Sequence, residues 1–237
     1  MIGQADIIDA MKRIGLIVAV EIDAVKDSLK EPLWEESRYG FDLSCYQVGE
    51  SELIVASCGV GQFAAIQATE YLILRYEVSL IFNFGVVGAL HEEIAKTPFV
   101  FVKDVVHSDS DLNFMEGYVL GQHEGFKTPY LPLDEAALRK AKESLPDVPL
   151  ARCASGDAFI ASEERKRHLH ESFSADICDM EIAGIAYTAN RFEVPCFSCK
   201  MVGDSLQGGV EEYHATKDNI SRQCFRLLLS MEDMFRE

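Results

Sequence analysis

Four stretches of the chain set carboxylates beside glycines or at the edge of apolar runs: 21-EID-23, 155-SGD-157, 178-CDMEIAGIAY-187 and 203-GD-204. Carboxylates that converge on one edge of a sheet suit general acid and base chemistry on a sugar or a base. One carboxyl then holds a proton while another stays ionised. A plainer role competes at several positions. Asp and Glu are favoured at helix N-termini, where capping and the helix dipole contribute about 0.3 to 2 kcal/mol, so Asp23, Asp157 and Asp179 also read as caps. Glu181 differs from these. It stands between Met180 and the run Ile182-Ala183-Gly184-Ile185-Ala186, where burial without a partner is costly, so it calls for a polar ligand or a specific hydrogen-bond partner.

Other motifs are weaker. Gly59-x-Gly61 and Gly85-x-x-Gly88 are ordinary turn and packing spacings; neither extends to G-x-G-x-x-G or a Walker lysine, which disfavours a nucleotide-binding Rossmann enzyme. The stretch 107-HSDSD-111 reads as an acidic loop before a metal cluster, because no second His or Cys stands nearby at a helical ligand spacing. The seven cysteines include one C-x-x-C, Cys196 to Cys199, inside an expected strand. Residues three apart on a strand face opposite ways, so this pair reads as buried thiols. No metal and no organic cofactor is expected.

The elements that must position these residues alternate β-rich runs with amphipathic stretches, the pattern of an α/β domain with a largely parallel sheet. Strands are expected at 14–20, 52–59, 79–90, 98–107, 149–155 and 195–203. Helices are expected at 21–30, 62–76, 134–145, 162–172, 181–191 and 212–235, with a further helix at 1–12 as an N-terminal extension. The loops after the strands' carboxyl ends form the edge where open α/β sheets bind ligands. At 237 residues the chain is long enough for one large core, so a single domain over 1–237 is expected. Its formal charge of -17 opposes a nucleic-acid backbone or an anionic membrane as partner and leaves a small neutral or cationic ligand. With no apolar run near the ~18 residues of a membrane span and no signal-peptide pattern, a cytoplasmic location is expected.

In their order, 14-IGLIVAVEIDAV-25, 59-GVGQFAAIQAT-69, 83-NFGVVGAL-90, 117-GYVLGQ-122, 155-SGDAFI-160, 179-DMEIAGIA-186, Pro195 and 203-GD-204 resemble the purine nucleoside phosphorylase and 5′-methylthioadenosine/S-adenosylhomocysteine nucleosidase family, nucleosidase branch. The resemblance runs from about Ile14 to the C-terminal helix. It implies a nucleoside phosphorylase-like fold, with a central mixed, mostly parallel, twisted sheet flanked by helices, and cleavage of an N-glycosidic bond between a purine and a ribose derivative. Carried over residue by residue, Asp204 becomes the general acid toward N7 of the base. Met180 packs on the sugar and Glu181 holds its hydroxyls. Phe159 stacks on the base, and the main chain of Ile160 reads its edge. Val20, with Phe114, Val210 and Tyr213, becomes the wall around the 5′ group. Homo-oligomers, commonly dimers, are implied as well.

The departures from the family pattern select among its reactions. Phosphorylases of the family hold phosphate with an arginine where this chain has Asn83 and a hydroxyl residue where it has Val86; a dianion needs donors and positive charge, so hydrolysis is expected over phosphorolysis. The nucleosidases usually carry a Glu at Asp23 to orient the attacking water and an Arg at Lys200. Asp is one methylene shorter and Lys has no guanidinium fork, so the water site is expected to be rearranged, with Asp23 or Glu21 positioning the water. A non-catalytic nucleoside-binding relative is the alternative from another class.

Overall fold

The glycines and apolar runs that read as strand ends converge on one edge of a mixed sheet. The computed structural model describes residues 12–231 together with 234 and 235, so the helix expected at 1–12 lies, Lys12 apart, outside the described residues. The elements run β1 (Arg13–Val18), α1 (Ile22–Ser28), β2 (Trp34–Arg38), β3 (Phe41–Val48), β4 (Ser51–Ser57), α2 (Gln62–Tyr76), β5 (Leu80–Ala89), β6 (Phe99–His107), β7 (Tyr130–Pro132), α3 (Glu135–Ser144), β8 (Leu150–Ser155), α4 (Glu163–Phe173), β9 (Ile177–Asp179), α5 (Ile182–Arg191), β10 (Cys196–Asp204) and α6 (Val210–Ser230).

β5 organises the sheet. Its first residues pair β1 in parallel, up to Ile17 opposite Asn83. Its other edge pairs β10 in parallel over most of its length, and its last residues, Gly88 and Ala89, pair β9 antiparallel. From β10 the sheet passes to β6, β8 and β9 and so returns to β5, closing a ring; β1, β4, β3 and β2 extend it on the far side. Between Asn83 and Gly88, β1 and β9 diverge along one edge of β5, and side chains from both strand ends reach the space they leave.

The two faces of the sheet carry separate core layers, because successive strand residues point opposite ways. Ile17, Ile81 and Val87 pack with Ala65, Ala68 and Leu72 of α2 and Ile182, Ile185 and Ala186 of α5. Leu16, Phe82, Phe84 and Phe197 pack with Val25 of α1 and Phe225 and Leu228 of α6. Each large side chain so buried contributes about 1.5 to 3 kcal/mol. Cys196 belongs to the first layer and Cys199 to the second, so the C-x-x-C pair points to opposite faces as expected. Helices α2 and α5 meet closely: a Cβ on Gly184 would stand 2.9 Å from the Gln62 carbonyl oxygen.

Candidate active site

A cavity of about 160 Å³ opens where β1 and β9 part, walled by Val20, Val60, Val86, Val87, Phe159, Ile160, Cys178, Met180 and Tyr213, with Glu21, Asp179, Glu181 and Asp204 as its carboxylates. The main chain directs these residues there. A bulge in β10 between Val202 and Asp204 skips Gly203 in the pairing and sets Asp204 opposite Gly88, re-aiming its side chain at the end of the strand. The two glycines of β5 leave room for carboxylates: a Cβ would stand 2.9 Å from Glu21 Oε1 at Gly85 and 2.9 Å from Asp204 Oδ1 at Gly88.

Asp204 is 6% exposed. Its Oδ1 accepts from the Ala89 N–H at 3.2 Å and its Oδ2 from Lys166 Nζ at 2.8 Å. Burial raises its pKa, against the Lys166 ammonium and the Ala89 N–H, which pull the other way. Glu181 is the residue before α5. Its Oε1 accepts from the Gly61 N–H at 2.9 Å, so a distant carboxylate takes up one of the free N–H groups at the start of α2. Burial, with repulsion from Asp179, pushes Glu181 up to about 7, while Gly61 and Lys200 act to lower it. The expected specific partner is present on one oxygen, and the residue also stands in the cavity wall.

Asp179 anchors the framework. Its Oδ2 accepts from Lys200 Nζ at 2.8 Å and its Oδ1 from Ser155 Oγ at 2.6 Å and, more weakly, from the Glu181 and Ile182 N–H groups at the start of α5. Ser155 Oγ accepts in turn from Gln62 Nε2 at 2.8 Å and the Ala183 N–H at 3.1 Å. Lys200 is 2% exposed; burial acts to lower its pKa, but the Asp179 carboxylate outweighs that and the net shift is upward. It stands behind the cavity wall, 3.6 Å from where a Gly85 Cβ would be, beside Glu21.

Glu21 and Asp23 part company. Glu21 is 9% exposed, its Oε2 accepting from the Val20 N–H at 3.0 Å and its carboxylate in the cavity wall. Asp23 lies two residues on, exposed on the first turn of α1 and outside the cavity. The structure therefore does not bring Asp23 together with Glu21, Glu181 and Asp204. Asp157 is also outside the wall and accepts from the Gln62 N–H at 2.7 Å, a cap for α2. In the acidic loop, Asp109 accepts from the Asp157 N–H and Asp111 from the Asn113 N–H.

Of the other expected binding residues, Met180, Phe159, Ile160, Val86, Val20 and Tyr213 line the cavity. Phe114, 83% exposed, and Val210, 49% exposed, do not. Phe159 and Tyr213 meet edge to face at 5.7 Å between ring centroids. Asn83, where a phosphorylase arginine is expected, is 3% exposed; its amide donates to the Ile17 carbonyl and accepts from Ser198 Oγ. Cys178, Val60 and Lys166 went unsingled in the sequence. Lys166 carried one signal: it shares the buried stripe of α4 with Leu169 and Phe173, at spacings of three and seven, in an otherwise charged helix.

Comparison with known proteins shows the family. A family profile described as the phosphorylase superfamily matches residues 13–231. A 5′-methylthioadenosine/S-adenosylhomocysteine nucleosidase of Shewanella pealeana is 30% identical over 200 residues, covering 81% of this chain and 86% of the relative. An aminodeoxyfutalosine nucleosidase of Campylobacter jejuni is 28% identical over 65% of this chain and 68% of the relative. The structure of a futalosine hydrolase of Helicobacter pylori superposes with a TM-score of 0.88 at 25% identity, covering 94% of this chain and 98% of the other.

Proposed function

We propose, for a chain that belongs to the phosphorylase superfamily, hydrolysis of the N-glycosidic bond of a purine ribonucleoside, with a 5′-modified ribose of the methylthioadenosine or S-adenosylhomocysteine kind in the substrate. The observation that carries this reading is one cavity that gathers Asp204, Glu181 and Glu21 on mostly apolar walls while the ammonium groups nearest to it, Lys166 and Lys200, are already paired with Asp204 and Asp179. Among the described residues a phosphate dianion finds no free cation in the cavity wall, and Asn83 is committed to main-chain and Ser198 partners. Relatives named as nucleosidases support the same choice.

In this reading Asp204 gives its proton to N7 of the purine as the C–N bond breaks and its electron pair leaves with the base. Glu181 accepts from the ribose hydroxyls, and its charge opposes the oxocarbenium-like centre that develops on the sugar. Glu21, with Lys200 beside it, orients a water and takes its proton as the oxygen bonds to the sugar carbon. Phe159 stacks on the base, the Ile160 main chain reads its edge, Met180 packs on the ribose, and Val20, Val86 and Tyr213 border the 5′ group. Seven unpaired, buried thiols suit a reducing compartment, and we place the protein in the cytoplasm. We also read it as a homodimer, in keeping with Phe63 and Phe114, which are 84% and 83% exposed.

Free-base release from methylthioadenosine, S-adenosylhomocysteine, adenosine, inosine and 5′-carboxylated analogues, each with and without phosphate, tests the proposal. Release that ignores phosphate is the expected result. Release that requires phosphate would make the protein a phosphorylase, and tight binding with no release would make it a nucleoside-binding relative.

A further inference from the structure

The two oxygens of Asp204 have different surroundings. Oδ1 accepts from the Ala89 N–H at 3.2 Å and stands nearer than Oδ2 to Gly88, a residue of the cavity wall, while Oδ2 is taken by Lys166. Lys166 is 0% exposed and reaches in from α4 to donate to Asp204 Oδ2 at 2.8 Å, the Ser205 carbonyl at 2.6 Å and the Gly208 carbonyl at 3.0 Å. An ammonium has three protons, and all three are used. Burying a lysine at a stripe position that an apolar residue would fill is costly, and the pair it forms is weak evidence of added stability. Its location points to the chemistry instead.

We propose that Lys166 is a positioning residue for the glycosidic cleavage: by occupying Oδ2 it confines the transferable proton of Asp204 to Oδ1, the oxygen against the cavity, and its charge faces the carboxylate left when the base has taken that proton. This inference rests on the reading of Asp204 as the general acid. In the step, the Oδ1–H bond breaks and an N–H bond forms on the purine. The O–H electron pair stays on Asp204, and the C–N pair goes to the leaving base. A carboxylate created in a desolvated site is expensive to form, and an ammonium already fixed 2.8 Å away stabilises it without reorganisation. Through the Ser205 and Gly208 carbonyls the same ammonium also fixes the turn leading into α6, which brings Tyr213 to the cavity.

The test compares wild type, Lys166→Met, Lys166→Arg, Asp204→Asn and the Lys166→Met/Asp204→Asn double variant, with kcat and KM for methylthioadenosine measured across pH. Losing the cation raises the pKa of Asp204 further, so the basic limb of the Lys166→Met profile moves to higher pH by about one unit or more. Its kcat falls about tenfold to a hundredfold with KM within about threefold. Lys166→Arg keeps the charge and returns the limb toward its wild-type position, and the double variant is no slower than Asp204→Asn alone. An unmoved basic limb in Lys166→Met, or KM rising in step with the loss of kcat, overturns the inference. Should the Met variant not fold, Lys166→Arg decides by the same limb: retained position supports the inference, and a shift as large as about one unit overturns it. Undiminished kcat in Asp204→Asn would instead remove the acid reading itself, a failure separate from an inert Lys166 beside an essential Asp204.

Discussion

Two buried ammonium–carboxylate pairs border the same cavity, Lys200 with Asp179 and Lys166 with Asp204, each closed at 2.8 Å and each almost wholly removed from water. Their carboxylates are used differently. Asp179 accepts from Lys200, from Ser155 and from two N–H groups at the start of α5, and Ser155 carries the network on to Gln62 and α2. Asp204 accepts only from Lys166 and Ala89 among the described residues, and its Oδ1 keeps lone-pair capacity toward the cavity. The distance of the ion pair therefore does not tell a framework carboxylate from a reactive one. The number of remaining partners does, because a carboxylate saturated by donors has no position left from which to move a proton.

The sharpest break of this contrast is Asp204→Asn. It keeps an oxygen for Lys166 but has no acidic proton, so kcat is expected to fall about 10²- to 10⁴-fold while thermal unfolding moves little. Steady-state kinetics beside calorimetry on one preparation checks both halves, and a large loss of stability with normal turnover would place Asp204 in the framework with Asp179. The converse change is Asp179→Ala, which removes the carboxylate that the buried Lys200 ammonium pairs with. It is expected to cost about 3 to 5 kcal/mol in urea unfolding, and a cost under about 1 kcal/mol would mean that Asp179 does not hold the frame.

Glu181 stands between these two cases, and its signature is a dependence on pH. Its pKa is pushed up to about 7, chiefly by burial, from the ordinary 4.5. Because the acid's folded pKa is raised, its protonated form is the one the fold accepts: stability is full below about pH 4.5 and declines as pH climbs to about 7. The penalty at pH 8 is about 3 kcal/mol. Glu181→Gln keeps an oxygen for the Gly61 N–H and cannot ionise. The ligand-free variant should therefore be more stable than wild type at pH 8 by roughly that amount and equal to it near pH 4, while losing affinity for ribosides. Unfolding midpoints at the two pH values measure it, and parallel curves would show that Glu181 is not held in a desolvated site.

The order of most strands and helices was legible, because Gly59, Gly85, Gly88 and Gly203 punctuate strand ends and apolar periods distinguish helix from strand; the apolar cavity wall was legible only through the family resemblance. The hairpin of β2 and β3 was not. Its turn is Tyr39-Gly40, both with positive φ, and Tyr is a rare first residue of such a turn, where Asn or Asp is the usual mark. The three-residue β9 and its antiparallel return to β5 were also missed, since a pairing across nearly ninety residues leaves no local trace. Lys166 was hidden for another reason: in 163-EERKRHLHESF-173 it reads as one more solvated charge, and only its spacing to Leu169 and Phe173 sets it apart.

The smallest effect is expected at Asp23, and it bears on the part of the site the sequence left undecided. By resemblance Asp23 stands where the nucleosidases carry their water-orienting Glu, and from the chain alone Glu21 was an equal candidate. The backbone separates them: Glu21 precedes α1, with φ of -89° and ψ of 17°, and its carboxylate folds back onto the Val20 N–H and over Gly85. Asp23 follows inside the helix and faces solvent, near Arg222, which pairs with Asp27 of the next turn at 2.6 Å. An exposed acid in the first turn of a helix contributes through the dipole about 0.3 to 1 kcal/mol. Asp23→Asn should thus lower stability by no more than about 1 kcal/mol and leave kcat and KM for methylthioadenosine within about twofold of wild type. Thermal unfolding and steady-state kinetics on the single variant suffice to check it. A loss of kcat of about tenfold or more would return the water to Asp23, require the start of α1 to rewind when substrate binds, and leave Glu21 as a wall residue held by the Val20 N–H.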